Sequence, residues 1–261
     1  MRQLHLLSYN IQAGIQSRRY GDYVTHGWKH LLPHPERQEN LARIATLLRG
    51  FDLVGLQEVD AGSLRSGFVD QVEYLARSAQ FPFWYKQINR NFGRLAQHSN
   101  ALLSRVQPVR VTEHKLPGGI PGRGAVVAEF PTSDGGVLVV CIVHLALGWR
   151  ARRRQLAYLI DVVEREPYLV LMGDFNCGCS SRSLRSMVAG YDLRGLDCDL
   201  KTFPSWRPRQ GLDHILLSRP LEILEARVID YALSDHLPLS MVIGLPPGAE
   251  LVSCVRDQSW M

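Results

Sequence analysis

Eight stretches of the chain read as buried strands because their apolar residues run almost without interruption: residues 3–9, 52–57, 99–104, 124–130, 136–143, 168–173, 212–218 and 239–243. Val, Ile and Leu dominate them, as they do in strands covered on both faces; a strand with one wet face alternates instead. Helical periods lie between these runs. Leu41, Ile44, Ala45 and Leu48 fall on one helical face, with Gly50 placed to close that element. Leu156, Leu159, Ile160 and Val163 mark a second helix ended by Pro167, and Val69, Val72 and Leu75 a third. Alternating strands and helices predict an α/β fold with helices covering the sheets, whether one doubly covered sheet or two stacked ones.

Two segments stand outside this frame. Residues 16–37 mix Arg, Tyr, His, Trp and Pro without an apolar period and read as a loop, of a length that is uncommon unless functional. Residues 246–261 follow the last strand as a C-terminal tail, leaving 1–245 as one domain.

Polar islands close several of the apolar runs. Ser8-Tyr9-Asn10 follows the first, Gln57-Glu58-Val59 the second, and Gly173-Asp174-Phe175-Asn176 the sixth. Leu212-Asp213-His214 opens the seventh, and Ser234-Asp235-His236 precedes the last. Any one of these reads equally well as a strand-end turn or cap. Together they place carboxylates, amides and imidazoles where strand ends meet solvent or a shared site.

Composition narrows the choice only a little. The 261 residues carry a formal charge of +5, which favours an anionic partner weakly. No run approaches the length of a membrane span, and the N-terminal apolar segment is too short for a signal peptide. The five cysteines are odd in number and lack zinc-type pairing at both ends. They read as free thiols of a reducing compartment, so a cytoplasmic, monomeric protein is expected.

The stretches LSYNIQAG, LVGLQEVD, HSNALLSR, VCIVHLALG, LVLMGDFNC, GLDHILLS and LSDHLPLS, in this order, resemble the endonuclease/exonuclease/phosphatase superfamily. That superfamily includes deoxyribonuclease I, AP endonucleases, neutral sphingomyelinases, inositol polyphosphate phosphatases and deadenylases. The resemblance runs from Ser8 to about Ile243 and is carried by GDFN, SDHLPL and QEVD in combination. It implies a four-layer α/β sandwich, two stacked mixed sheets flanked by helices, with the site where strand-end loops converge.

Phosphate-ester hydrolysis needs a cation to neutralise charge, a base to activate water and donors for the equatorial oxygens. An oxygen-rich donor set suits Mg²⁺, with Mn²⁺ as a substitute, and does not suit a thiolate or multi-histidine zinc site. The resemblance implies Glu58 as principal metal ligand with Asn10 and Asp235 beside it. It implies that Asp174 and Asn176 position water and phosphate, that His236 faces the scissile phosphate, and that Asp213 orients its ring. Whether Asp174 or His236 accepts the water proton stays open at this level. His144 matches a histidine of the deoxyribonuclease I-like, sphingomyelinase-like and inositol-phosphatase-like branches, which points away from abasic-site repair. Asn100, Arg123, Arg152 and Trp206 are candidate substrate contacts, the last within an arginine-aromatic segment spanning residues 201–209. The expected activity is a Mg²⁺-dependent phosphodiesterase acting on nucleic acid, a phospholipid headgroup or another small phosphodiester. The alternatives are an inositol-type phosphomonoesterase and an inactive phospho-ligand binding protein.

Overall fold

Two six-stranded sheets lie face to face, with helices covering both outer surfaces. The computed structural model describes residues 2–15, 34–91, 95, 97–119, 122–163 and 167–252. In chain order the strands are β1 (Gln3–Asn10), β2 (Leu53–Val59), β3 (Phe83–Asn91), β4 (Gln97–Ser104), β5 (Arg110–Lys115), β6 (Gly124–Pro131), β7 (Val137–His144), β8 (Tyr168–Asp174), β9 (Leu193–Arg194), β10 (Asp213–Ser218), β11 (Glu222–Val228) and β12 (Leu239–Gly244). The helices are α1 (Pro35–Leu48), α2 (Gln71–Ser78), α3 (Trp149–Val163) and α4 (Arg182–Gly190). One sheet has the order β11-β12-β1-β2-β4-β3 and the other β5-β6-β7-β8-β10-β9. Each is antiparallel except at its centre, where β1 runs parallel to β2 and β7 parallel to β8. The fold is the four-layer α/β sandwich expected.

Strand parity explains the unbroken apolar runs. In β1, Leu4 and Leu6 enter the core between the sheets, while Leu7 and Tyr9 pack outward on α1 and α2. In β7 and β8, Val140, Ile142, Val170 and Met172 join the inter-sheet core. Their neighbours Val139, Cys141, Leu169 and Leu171 meet α3 and α4. Both faces are dry along these stretches, so successive positions are apolar. Each such side chain contributes about 1.5–3 kcal/mol of burial. The sheets approach closely at Gly55, where a Cβ would stand 3.1 Å from both Ile142 and Met172.

The eight apolar runs are the eight interior strands. The four strands that the apolar criterion passes over, β3, β5, β9 and β11, are the four sheet edges. β5 and β11 have half-exposed or exposed side chains along their whole length, so they carry Arg, Glu, His and Lys, which also discourage edge pairing. Helix α4 is passed over too, because it buries only Leu184 and Met187.

Two further expectations change. The first helix begins at Pro35, within the segment read as loop; His34 caps it by accepting from the Glu36 N–H at 3.3 Å. Residues 16–33 lie outside the described residues. Residues 246–252 of the tail pack on the body: Ala249 and Leu251 are buried in the inter-sheet core, and Leu251 bridges to Thr132. Cys179 and Cys198 form a disulfide, so the free-thiol reading fails for that pair and lends no weight to a reducing compartment. Cys141 and Cys177 are free and buried, and Cys254 lies outside the described residues. Among the described residues, no helix is long and apolar enough to cross a membrane.

Candidate active site

The same parity that builds the inter-sheet core assembles a polar cluster at one end of it. Asn10, Asn100, His144, Asp174 and Asp213 each continue the inward-facing register of their strand, two residues beyond Ser8, Leu102, Ile142, Met172 and Ile215. β1, β2, β7 and β8 finish at this end, whereas the antiparallel β4, β6 and β10 start there. Cross-strand pairing places Asp174 directly opposite both His144 and Asp213. Glu58 reaches the cluster by a different device. The β2–β4 register shifts between Leu56 and Val59, and Glu58 takes a φ of 56°. That bulge turns its carboxylate out of the parity of β2 and toward the cleft.

Asp174 is the hub. Its Oδ2 accepts from Asn10 Nδ2 at 3.1 Å and lies 3.5 Å from His144 Nε2 and 3.9 Å from His236 Nε2. Its Oδ1 accepts from the Asn176 N–H at 2.8 Å, and Asn176 Nδ2 donates to the Leu145 carbonyl at 2.8 Å. Glu58 Oε1 stands 3.8 Å from His144 Nε2. On the other side, His236 Nδ1 donates to Asp213 Oδ2 at 2.7 Å, and the same oxygen accepts from Thr202 Oγ1 at 2.5 Å. The Phe203 ring packs 5.0 Å from the His236 ring.

The two histidines are driven in opposite directions. Burial lowers the His144 pKa well below the usual value, and Arg123, His236 and His98 add to the effect. Arg123 Nη1 contacts His144 Nε2, and a guanidinium only donates, so Nε2 is the acceptor of a neutral ring. Burial also opposes charge on His236, but Asp213, Asp174 and Asp235 outweigh it and hold the imidazolium well above the usual range. Glu58 is raised by burial and by Asp235, against the pull of His236 and Arg123. Burial likewise raises Asp174, with Asp213 adding to it and His236 opposing. Opposed shifts on neighbouring groups are how acid and base roles separate within one site.

The donor set fits a hard divalent cation. Glu58, Asp174, Asp213 and Asp235 bring four carboxylates together with two cations, His236 and Arg123; burial raises the Glu58 and Asp174 pKa values first, and the neighbouring Asp235 and Asp213 add to it. The groups expected as ligands, Glu58, Asn10 and Asp235, all offer oxygen, the preference of Mg²⁺ or Mn²⁺. Asp174, Asp213 and His236 also bring ligand-type atoms within 4.8 Å of one another.

The candidate substrate contacts divide by whether they line the cavity beside Glu58 and His144. Arg123 and Asn100 line a cavity of about 470 Å³ that opens from Glu58 and His144. Arg152 does not line it. Its Nη1 donates to the Ala146 and Leu147 carbonyls at 3.0 and 2.7 Å and fixes the loop leaving β7. Trp206 is half-buried and also absent from the cavity wall. Its segment instead braces the site: Ser205 donates through N to the Asp235 carbonyl and through Oγ to that of Ser234. The sequence reading passed over Thr202, Asn89, Arg90 and His98. His98 shares the inward parity of Asn100, a signal available from the strand pattern; Thr202 carries no such signal.

The class that fold and site define is an α/β sandwich with a buried acid–histidine cluster at the strand ends. The chain belongs to the endonuclease/exonuclease/phosphatase family, whose profile matches residues 7–236. No curated protein matches it. Solved structures share the fold. A Beutenbergia cavernae endonuclease/exonuclease/phosphatase superposes with a TM-score of 0.73 at 20% identity, covering 95% of this chain and 73% of that one. A Bacteroides thetaiotaomicron mannosyl-6-phosphatase gives 0.67 at 16% identity over 92% of this chain and 99% of its own. The human Nocturnin catalytic domain with bound sulfate gives 0.67 at 16% identity over 93% of each chain.

Proposed function

We propose that the chain is a divalent-metal-dependent phosphoesterase, foremost a phosphodiesterase, using in-line attack of water on phosphorus. The observation that carries this reading is the position of Asp174, buried between a neutral His144 and a His236 held by Asp213. Glu58, Asn10 and Asp235 would hold the cation, Mg²⁺ first and Mn²⁺ as substitute. Bound there, the cation would neutralise phosphate charge that the carboxylate cluster otherwise repels.

Asp174 takes the water proton in this reading, because His236 Nδ1 is committed to Asp213 and its ring faces carboxylates. The water oxygen forms the new P–O bond as the ester P–O bond breaks, and the leaving oxygen takes up a proton from solvent and departs as the alcohol. Asn176 fixes the Asp174 carboxylate. The His236 imidazolium faces the phosphoryl oxygens, with Asp213 and Thr202 fixing its ring. Arg123 and His144 meet the opposite side of the phosphate, and Arg123 contributes fixed positive charge there.

The test is hydrolysis of bis(p-nitrophenyl) phosphate and nicking of supercoiled plasmid with Mg²⁺ or Mn²⁺. Wild type should turn over the diester, and Asp174→Ala and His236→Ala should lose at least about a hundredfold with folding retained. Normal turnover in both variants would remove the assignment. No turnover by wild type with either metal would leave a phospho-ligand binding protein. One structural neighbour is a mannosyl-6-phosphatase, which favours a phosphomonoester as second reading. Inorganic phosphate as first product from a sugar phosphate, with the diester inert, would select it.

A further inference from the structure

The cavity beside Glu58 and His144 has two unlike walls. Ala146, Leu147 and Ala151 form an apolar side, and Asn89, Arg90 and His98 a polar one, with Asn100 between. His98 is half-buried and held from behind. Arg65 Nη1 lies 3.2 Å from His98 Nε2, and Arg65 Nη2 donates to the Gln97 carbonyl at 2.9 Å. Arg65 is itself 4% exposed and ion-paired through Nε to the fully buried Asp60. A guanidinium cannot accept, so His98 Nε2 must, and the ring proton is forced onto Nδ1. Nδ1 has no protein partner among the described residues.

Asn100 supplies the complementary polarity. Its Nδ2 donates to the Gly124 carbonyl at 2.9 Å, which fixes the amide orientation. Its Oδ1, on a fully buried side chain, has no partner. Two residues apart on β4, with the same parity, the strand thus offers one N–H donor and one oxygen acceptor. Burying the Asn100 oxygen unpaired costs free energy that a ligand would relieve. A hydroxyl both donates and accepts, and adjacent hydroxyls on a ring match a donor beside an acceptor. The apolar wall opposite suits the carbon face of such a ring.

We propose that His98 and Asn100 form a subsite for a hydroxylated ring, a sugar or polyol, attached to the phosphate handled at Asp174. The inference rests on the phosphoesterase reading for its phosphate. It disfavours a phospholipid without ring hydroxyls. His98 is a substrate-positioning residue here, and Arg65 with Asp60 fixes its tautomer.

The experiment compares hydroxylated substrates with single-deoxy analogues: a diribonucleoside monophosphate against its 2′-deoxy counterparts, and a hexose phosphate against each of its deoxy forms. Wild type should favour at least one hydroxylated member by about five- to tenfold in kcat/KM, carried mainly by KM. His98→Ala should abolish that preference, and His98→Asn, whose Nδ2 stands near the lost Nδ1, should restore part of it. Preference in the nucleotide pair would assign a ribose, and in the hexose pairs a free sugar phosphate. Calorimetric binding of ribose 5-phosphate and hexose phosphate to wild type and His98→Ala repeats the comparison without turnover. An absent wild-type preference, or one that His98→Ala leaves intact, would overturn the subsite. Failure of wild type on bis(p-nitrophenyl) phosphate would instead count against the phosphoesterase reading, with the binding arm still deciding the subsite.

Discussion

Asp60→Asn should be among the most damaging single-atom changes in this protein, although Asp60 lies outside the catalytic cluster. Its Oδ1 accepts from Gly62 N at 2.9 Å, Ser63 N at 2.7 Å and Ser66 Oγ at 2.9 Å. Its Oδ2 accepts from Ser63 Oγ at 2.7 Å and pairs with Arg65 Nε. An asparagine must point its amide N–H₂ at one of these donor sets. The backbone N–H groups cannot turn away, so the amide nitrogen would replace Oδ2 and face Arg65. That leaves a guanidinium 4% exposed with no counter-charge. Breaking a buried pair from one side costs about 3–5 kcal/mol. With an unfolding entropy of about 2.1 cal/mol/K per residue, a chain of 261 residues should lose roughly 5–9 °C in Tm. Urea denaturation of wild type, Asp60→Asn, Arg65→Met and the double variant gives the energies directly. The double variant should be less destabilised than the two single losses combined, because it leaves no orphaned charge. If Asp60→Asn fell within about 1 kcal/mol of wild type, with an unchanged m-value, the buried-charge argument would be refuted.

Two further outcomes follow from the same region of the fold. Gly173 has a φ of 149°, and a Cβ there would stand 2.0 Å from the Val143 carbonyl oxygen. Gly173→Ala should therefore cost at least about 2–3 kcal/mol and displace Asp174 next to it, losing activity with stability; a variant as stable and active as wild type would contradict this. His98 is depressed to about 4 by burial first, then by Arg65, with Arg90 and Arg123 adding and Asp60 opposing. Its ordinary value is 6.5, so the unfolded chain takes up the proton first. The contribution is then fully present above about pH 6.5 and is lost as pH falls toward 4. Relative to His98→Asn, wild type should lose roughly 1–2 kcal/mol between pH 7.5 and 5, part of a ceiling near 3 because the ring is only half-buried. A pH-independent difference between the two proteins would show that His98 is not held neutral.

How legible the molecule is in its sequence depends on whether burial acts on both faces of an element. All eight interior strands announce themselves because dry faces leave few polar positions, while β3, β5, β9 and β11 are the sheet edges that border water. The site divides along the same line. Asn10, His144, Asp174 and Asp213 are conspicuous because they interrupt apolar runs at an inward-facing position, where a polar side chain must find polar company. Glu58 also interrupts an apolar run, but at an outward-facing parity, and its aim depends on a bulge that no apolar pattern encodes. Arg152 and Trp206 sit in mixed polar-aromatic segments, where composition says nothing about direction. Arg152 holds backbone carbonyls, and Trp206 does not line the cavity beside Glu58 and His144. Thr202 and Arg65 could not have been found that way at all. Each acts on a histidine or its carboxylate from a loop, and only the folded chain brings Thr202 to Asp213 and Arg65 to His98. Strand ends therefore disclose the polar groups that gather in the cleft, and the residues that set the state of those groups emerge only from tertiary structure.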